Sequence, residues 1–178
     1  STTPIAGIDL QDTDNITIRN ITIRMPFESA AGSQEMFGIY VDDALNISIE
    51  NIVILSVDGI EVVRVNNLDV FNTIVSAEKI AFEARASNSL NLVHNTFHTD
   101  QIGLISGPSV GTQAAVRFEG DNGNVSLTNN IFSGVVPDEP NGNAAIAVLN
   151  NLENLEISTN FNLFDADFSM AIYGESGN

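Results

Sequence analysis

A pair of short apolar alternations that returns six times constrains the fold of this chain more than any other feature of its sequence. Each repeat begins at Gly or Ala, and the six read GIDLQDTDNITIRNITI, GIYVDDALNISIENIVI, GIEVVRVNNLDVFNTIV, AFEARASNSLNLVHNTF, AVRFEGDNGNVSLTNNIF and AIAVLNNLENLEISTNFN. Strict alternation is typical of strands with one buried face. Self-similarity at this spacing indicates a solenoid whose coils bury their apolar faces against one another. A seventh repeat starts at Ala171.

Aligning the repeats predicts columns of inward-facing residues that run up the solenoid. The first strand of each coil contributes Ile8, Ile39, Ile60, Phe82, Val116, Ile146 and Ile172, and beside them Leu10, Val41, Val62, Ala84, Phe118 and Val148. The second strand contributes the pairs Ile16 and Ile18, Ile47 and Ile49, Leu68 and Val70, Leu90 and Leu92, Val125 and Leu127, and Leu155 and Ile157. A third, shorter strand contributes Ile23, Ile54, Val75, Phe97 and Phe132. Together these columns are the predicted core.

A polar residue follows the second strand of each coil, where the chain has to turn a corner. The residues at this position are Asn20, Asn51, Asn72, His94, Asn129 and Thr159. Asn tolerates the left-handed backbone of a sharp corner, and stacked Asn side chains can form hydrogen bonds from coil to coil. The pattern predicts an Asn-rich ladder in which His94 has a structural role rather than a catalytic one.

The spacing between equivalent residues distinguishes between solenoid architectures. Successive first-column residues are 31, 21, 22, 34, 30 and 26 positions apart, which is longer than the period of a hexapeptide β-helix. Leucine-rich repeats are a closer rival because LENLEISTN from Leu152 matches their pattern. Those repeats continue into a helix or loop, whereas each repeat here continues into another alternating strand. An all-β parallel β-helix with about six coils of three short strands is therefore predicted.

Three of the repeats carry a family resemblance. NITIRNITI from Asn15, NISIENIVI from Asn46 and NVSLTNNIF from Asn124 resemble coils of the pectin lyase-like right-handed parallel β-helix superfamily. The resemblance implies a right-handed coil over almost the whole chain. That superfamily includes pectate lyases, polygalacturonases, other polysaccharide enzymes, phage tailspikes and passenger domains of bacterial adhesins. The fold alone does not choose among these functions.

Composition narrows the classes of partner. The chain has 178 residues, 43% of them hydrophobic, with 23 acidic against 6 basic residues and a formal net charge of −17. This charge repels nucleic acid and anionic membranes, and it disfavours acidic polysaccharides unless a divalent cation such as Ca²⁺ bridges the two. The chain lacks Cys, which excludes disulfides and thiolate metal sites. The sequence has no apolar run near the roughly 20 residues of a membrane span, so no membrane insertion by this segment is expected.

The outward positions of the first strands form the candidate binding face. Two files are expected to run up the coils, Asp9, Tyr40, Glu61, Glu83, Arg117, Ala147 and Tyr173, and beside them Gln11, Asp42, Val63, Arg85, Glu119 and Leu149. Carboxylates, arginines and tyrosines along such a groove floor could hold a sugar chain or a cell-surface ligand. The predicted binding residues are Tyr40, Asp42, Glu61, Glu83, Arg85, Arg117 and Glu119. The alternative is purely structural, with Glu83 paired to Arg117 and Arg85 to Glu119 across coils.

Enzymatic readings of the same face are weaker. Of the four polygalacturonase motifs only the paired Asp occurs, as Asp42 and Asp43, and adjacent strand residues point to opposite faces unless the strand has ended there. A pectate-type lyase would use Ca²⁺ ligands and a cationic base. Asp42, Glu61 and Glu83 could serve as the ligands, and Arg85 or Arg117 could serve as the base. Such clusters arise readily in so acidic a chain. The Ser, His and Asp residues show no nucleophile motif. We therefore assign no catalytic or metal-binding residue.

Surplus residues gather at one corner, after the third strand. The insertions are PFESAAGSQE from Pro26, HTDQIGLISGPSVGT from His98 and SGVVPDEPNGN from Ser133, and they are expected to wall one side of the first-strand face. The first coil starts shortly after the N-terminus and the chain stops within a seventh first strand, so neither end shows a cap. Residues 1–178 are expected to form a single β-helix domain that belongs to a longer solenoid and contacts further coils end to end.

Two functional hypotheses follow. The preferred one is a non-catalytic segment of an extracellular or cell-surface protein that acts in adhesion or in binding a polysaccharide or host-cell ligand through the first-strand face. The rival is a polysaccharide lyase or glycoside hydrolase that acts in the same groove. A spacer role in a long fibre is a third reading. The ligand, the flanking domains and the oligomeric state are left open by the sequence.

Overall fold

The protein was analysed as a computed structural model that describes residues 5–26, 36–100, 113–135, 143–149, 154–164 and 170–175. Within these ranges the regular secondary structure consists of nineteen β-strands. This confirms the all-β prediction, which followed from the period-2 alternation. In the same ranges, no helix has the length and hydropathy needed to cross a membrane.

Each coil contains three strands, and the bounds are as follows. The first two coils contain β1 (Ile5–Gln11), β2 (Asp14–Arg19), β3 (Thr22–Arg24), β4 (Met36–Asp42), β5 (Leu45–Glu50) and β6 (Val53–Ser56). The next two contain β7 (Asp58–Val63), β8 (Asn66–Phe71), β9 (Ile74–Ala77), β10 (Phe82–Arg85), β11 (Asn88–Val93) and β12 (Thr96–Asp100). The remaining strands are β13 (Gln113–Glu119), β14 (Asn124–Thr128), β15 (Ile131–Val135), β16 (Asn143–Leu149), β17 (Glu156–Asn160), β18 (Leu163–Phe164) and β19 (Met170–Glu175).

Equivalent strands of successive coils pair in parallel and form three sheets. The first-strand sheet has the order β1-β4-β7-β10-β13-β16-β19, the second-strand sheet β17-β14-β11-β8-β5-β2, and the third-strand sheet β18-β15-β12-β9-β6-β3. Each strand pairs with its counterpart one coil away, so the chain forms a parallel β-helix, and connections between parallel strands of one sheet are right-handed, as predicted. The three sheets enclose one continuous apolar core.

The first-strand columns match the predicted alignment. Ile8 pairs with Ile39, Ile39 with Ile60, and the register continues through Phe82, Val116, Ile146 and Ile172. The third-strand column is also confirmed and extends from Phe132 to Phe164. Aromatic residues fill the core of the later coils, and the rings of Phe97 and Phe132 stack with their centroids 5.9 Å apart.

The second-strand prediction is correct through the fifth coil and wrong in the sixth. Val125 pairs with Ile157 instead of Leu155, and Leu127 pairs with Thr159. A slip of two residues leaves every side chain on the same face of the sheet, so the alternation alone could not detect it. The corner residue of this coil is consequently Phe161, with φ of 52°, and the assignment of Thr159 to the ladder is wrong.

The polar corner ladder is confirmed for the first five coils. Asn20, Asn51, Asn72, His94 and Asn129 all have positive φ, between 49° and 58°. The amide of Asn72 donates to Asn51 at 2.7 Å, and the amide of Asn129 lies 2.9 Å from His94 Nε2. His94 therefore occupies the structural position predicted for it.

A buried Asn file lies one residue further along the chain and was not predicted. Asn95 and Asn130 are each 1% exposed. The Asn130 side chain accepts from the backbone N–H of Asn95 at 2.9 Å and donates to the carbonyl of Leu92 at 2.7 Å. Asn162 repeats the arrangement one coil on, where it donates to the carbonyl of Leu127. These side chains satisfy backbone groups that the corner would otherwise bury without partners.

The small residue that opens each repeat faces the core. A Cβ on Gly7 would lie 2.7 Å from Ile23 Cγ2 and 2.9 Å from the carbonyl oxygen of Gly38. Ala81, Ala115 and Ala145, at the equivalent position in later coils, are fully buried. Two consecutive residues therefore face inward at the start of the first strand, which interrupts the strict alternation there. The position is Gly in the first three coils, where a Cβ would collide with its neighbours, and Ala in the next three, where the methyl group is buried.

Candidate ligand-binding face on the first-strand sheet

The outward residues of the first-strand sheet lie in the two files that the repeat alignment predicts. Asp9, Tyr40, Glu61, Glu83, Arg117 and Ala147 occupy successive paired positions, and the second file contains Gln11, Asp42, Val63, Arg85, Glu119 and Leu149. Adjacent parallel strands lie about 4.8 Å apart, so side chains of neighbouring coils are within contact distance. The structure thus brings the seven predicted binding residues onto one face, and their role in binding stays a prediction.

Arg85 is held by two carboxylates of the same face. Its guanidinium contacts the carboxylate of Glu61, and its Nε lies 3.6 Å from a carboxylate oxygen of Glu83. Glu61 is 1% exposed, whereas 42% of the Arg85 side chain is exposed. The buried carboxylate therefore anchors the charged end of a side chain that is still accessible to a ligand.

Arg117 is held in the same way by Glu83. Its Nη2 lies 2.8 Å from both carboxylate oxygens of Glu83, and the pair joins adjacent coils as predicted. The Arg117 side chain is 25% exposed and Glu83 is 6% exposed. Burial raises the pKa of the Glu83 carboxyl above its usual value, and this effect outweighs the opposing charge and hydrogen bond of Arg117. Arg117 also approaches Glu119, at 3.9 Å.

The paired aspartates form a third ion-pair cluster around Arg64, a residue that the sequence analysis did not single out. β4 ends at Asp42, and Asp43 has φ of 49°, so the exception foreseen for a terminated strand applies and both carboxylates reach one partner. Arg64 lies 2.6 Å from Asp42 and makes two hydrogen bonds to Asp43, at 2.7 and 2.8 Å. The hydrogen bond from Arg64 lowers the pKa of Asp43, and the pKa of Arg64 is raised in turn.

Tyr40 supplies an aromatic surface beside this cluster. Its ring centroid is 5.6 Å from that of Phe37, and its hydroxyl oxygen is 3.5 Å from a carboxylate oxygen of Asp42. Burial and then the negative charge of Asp42 raise the pKa of the Tyr40 hydroxyl, so the phenol stays protonated near neutral pH. The ring is half-buried and still presents part of its surface to solvent.

Basic residues are concentrated on this side of an otherwise acidic protein. Arg64, Arg85 and Arg117 lie on the face itself. Lys79 lies in the connection between β9 and β10, and its Nζ is 3.7 Å from Asp58 of β7. These are four of the six Lys and Arg residues in the chain. The face therefore combines fixed cationic donors with carboxylate acceptors, which suits a ligand rich in hydroxyl groups.

The three carboxylates considered as possible Ca²⁺ ligands all have arginine partners. Asp42 contacts Arg64, and Glu61 and Glu83 contact Arg85. Across the ranges that the structure describes, no three His, Asp or Glu side chains converge as a group that could hold a metal ion.

The insertions expected to wall the face are largely outside the described residues. Of the predicted loops, positions 27–35, 101–112 and 136–142 are not described, and their contribution to the site stays a prediction.

A separate pocket lies on the second-strand sheet, where the sequence analysis placed no site. It has a volume of about 490 Å³ and is lined by Ser89, Leu90, Asn91, Asn124, Val125, Ser126, Glu156, Ile157 and Ser158. Its position depends on the slipped register of β17, which brings Glu156 beside Asn124. For this reason the repeat alignment could not reveal it.

Comparisons with known proteins add one structural likeness. No protein-family model and no curated protein sequence matches the chain. Among solved structures, the chain is similar to the A-module of the mannuronan C-5 epimerase AlgE6 from Azotobacter vinelandii, with 11% sequence identity and a TM-score of 0.43. The alignment covers 98% of this chain and 55% of that module, so the chain spans about half the module's length.

Proposed function

We propose that this protein is a polysaccharide-binding β-helix segment of an extracellular or cell-surface protein, and that its first-strand face binds the ligand without catalysis. The ligand lies along the first-strand face, across the coils that contain Tyr40, Arg85 and Arg117. The partly exposed members of the two files provide a surface that extends over four coils, from β4 to β13, whereas Ala147 and Leu149 on β16 are buried. An extended polymer, rather than a compact small molecule, matches such a surface.

The observation that carries this proposal is the pairing of exposed arginines with buried carboxylates. Glu61 and Glu83 are almost fully buried, while the Arg85 and Arg117 side chains are 42% and 25% exposed. A guanidinium has five N–H donors, and a carboxylate partner uses only some of them. Because the carboxylates hold each guanidinium in place while part of the side chain stays exposed, binding loses less side-chain entropy than it would with free arginines.

Tyr40 adds the apolar component of the site. A sugar ring has apolar C–H groups on its faces, and an aromatic ring combines a large contact area with a polar tip and few rotatable bonds. Tyr40 is buttressed by Phe37 on one side and lies near Asp42 on the other. A sugar unit stacked on Tyr40 would have the carboxylate of Asp42 within hydrogen-bonding range of its hydroxyls.

The charge balance favours a neutral polysaccharide. Each arginine of the face is matched by at least one carboxylate, so the surface presents donors and acceptors rather than excess positive charge. The protein as a whole carries a net charge of −17, which repels polyanions at low ionic strength. Hydroxyl groups can use both the donors and the acceptors without paying this repulsion.

The test is a glycan array followed by calorimetric titration with the best-bound neutral oligosaccharide. We expect the double variant Tyr40→Ala, Arg117→Ala to lose binding. A matched control is Arg19→Ala, Phe71→Ala, which removes one arginine and one exposed aromatic ring from the second-strand sheet. Equal loss in both double variants, or undiminished binding in the first, would contradict the assignment to the first-strand face.

A second candidate function, cleavage of a polysaccharide in the same groove, draws support from Glu83. Its raised pKa is the property that a general acid in glycoside hydrolysis requires. Incubation with neutral glycans, pectate and alginate, with and without Ca²⁺, would show new reducing ends or unsaturated products if this function were correct. Those products should disappear in Glu83→Gln or Arg85→Ala. If none of these glycans gives products, cleavage is contradicted and binding is retained as the proposed function of the face.

The organisation of the chain is a further part of the proposal. We infer that residues 1–178 form one β-helix domain whose coils continue in contact with further coils. The continuity of all three sheets from the first described coil to the sixth supports a single unit. The full-length open reading frame tests this directly, because additional repeats with the same two-strand alternation should adjoin the segment.

A further inference from the structure

The third-strand sheet carries a serine, a histidine and an aspartate in hydrogen-bond contact. His98 and Asp100 are two residues apart on β12 and therefore share its outward face, and Ser133 on β15 pairs in register with His98. The Nδ1 atom of His98 is 2.9 Å from Ser133 Oγ, and its Nε2 atom is 2.9 Å from a carboxylate oxygen of Asp100. The two ring nitrogens thus connect a hydroxyl to a carboxylate.

The carboxylate determines how protons are arranged along this chain of contacts. An ionised Asp100 can only accept a hydrogen bond, so Nε2 of a neutral His98 must carry the proton. Nδ1 then has a free electron pair, and the hydroxyl of Ser133 donates to it. This is the arrangement of nucleophile, general base and orienting acid that activates a serine hydroxyl.

The group is both accessible and rigidly supported. The side chains of His98 and Asp100 are 31% and 46% exposed, so a ligand can reach them. Immediately beneath them, Phe97 and Phe132 are fully buried, stacked on each other and paired in register. The strands that carry Ser133 and His98 are therefore held together by the core. Preorganisation of this kind is what a catalytic set on a regular element requires.

From this geometry we propose that Ser133, His98 and Asp100 form a serine esterase site, distinct from the binding face on the first-strand sheet. Ser133 Oγ attacks the ester carbonyl carbon while His98 Nδ1 takes the hydroxyl proton. His98 then gives that proton to the departing alcohol, leaving an acyl-serine. Water attacks the acyl group, His98 takes one of its protons and returns it to Ser133, and the carboxylic acid leaves. The net reaction consumes one ester and one water and yields one alcohol and one acid.

The surroundings indicate the class of ester. His98 and Asp100 are partly exposed, so the site can act on an acyl group carried by a larger molecule. Ile131 precedes Ser133 by two residues on the same face of β15 and is 42% exposed. Its side chain offers a small apolar contact beside the nucleophile, suited to a short acyl chain such as acetyl. Short-chain acyl esters are therefore the proposed substrates.

The experiment combines turnover with covalent labelling. The intact chain is assayed with p-nitrophenyl acetate and treated with a fluorophosphonate, which forms a bond from Ser Oγ to phosphorus with loss of fluoride. The labelled residue is then located by peptide mass mapping. We expect the label on Ser133, no label in Ser133→Ala, and labelling slowed about 100-fold in His98→Gln because the base is lost. Asp100→Asn should slow it as well.

A serine from another sheet is the matched control. Ser126→Ala removes a partly exposed hydroxyl from β14 and should change neither turnover nor labelling. Circular dichroism and thermal melting of each variant show whether it is folded. The proposal is overturned if the wild-type chain takes up no label at Ser133, or if folded His98→Gln is labelled at the wild-type rate. In either case the hydrogen bonds among the three residues would serve only to join the coils.

Discussion

Glu83 lies buried against Arg117, its partner one coil further on, with both carboxylate oxygens 2.8 Å from a single guanidinium nitrogen. Burial nevertheless dominates, because the pKa of Glu83 is raised rather than lowered. The pair therefore orients Arg117 at some cost to the stability of the ionised form. Such an arrangement is understandable if the exposed arginine has a function, since a well-packed apolar pair would be at least as stable.

The raised pKa of Glu83 predicts how stability depends on pH. A carboxyl with a raised pKa in the folded state binds its proton more tightly there, so its contribution favours folding at low pH. That contribution is lost as the pH rises from the ordinary Glu value through the raised one. We expect wild type to lose stability relative to Glu83→Gln over this window, as measured by urea unfolding at a series of pH values. Glu156→Gln, which removes an exposed carboxyl from β17, is the matched control, and an effect of the same size in that variant would argue against burial of Glu83 as the cause.

Removing Arg64 should change the titration of Asp43. The hydrogen bond from Arg64 is the main cause of the lowered pKa of Asp43, so Arg64→Ala should bring that pKa back toward its ordinary value. Carboxyl-detected NMR titration measures this directly. The sign for stability is opposite to that for Glu83, since a lowered carboxyl pKa stabilises the fold at neutral pH and the effect is lost as the pH falls. An unchanged Asp43 titration in the variant would argue against the Arg64 contact.

Gly59 should not tolerate a methyl group. A Cβ at this position would collide with the backbone carbonyl of Ala81 and with the side chain of Val75. We expect Gly59→Ala to lower the free energy of unfolding by about 1–3 kcal/mol, the range typical of overpacking. Gly120→Asn is the control, because its Cβ meets nothing within 4 Å and Asn accepts the positive φ of 73° found there. Similar losses in both variants would contradict the packing argument.

Asn130 should contribute more to stability than its neighbour Asn129. Asn130→Ala would leave the backbone N–H of Asn95 and the carbonyl of Leu92 without their side-chain partner, at about 1–3 kcal/mol for each unsatisfied group. Asn129 is exposed and has φ of 54°, so Asn129→Gly keeps the corner conformation and should cost less. Chemical denaturation of both variants provides the comparison. A larger loss at Asn129 would reverse the ranking of the two ladders.

Much of the face could be predicted because a β-helix repeats its geometry. The positions of Tyr40, Glu61 and Arg85 in their files follow from period-2 alternation and from equal spacing within each coil. The pairing of Glu83 with Arg117 follows from the same register. The choice of partner for Arg85 did not follow, because a long side chain can reach either neighbouring coil and local burial decides between them.

The sequence by itself determined the period, the inward columns of the first five coils and the polar corners, because these depend on which face of a strand each residue occupies. Only the tertiary structure decided the register of β17, the inward position of Gly59, the contact of Arg64 with Asp42, and the contact of Ser133 with His98. The reason is physical: a slip of two residues preserves the face, and a corner residue points wherever the local backbone turns it. Residues 35 positions apart meet only once the coils are stacked.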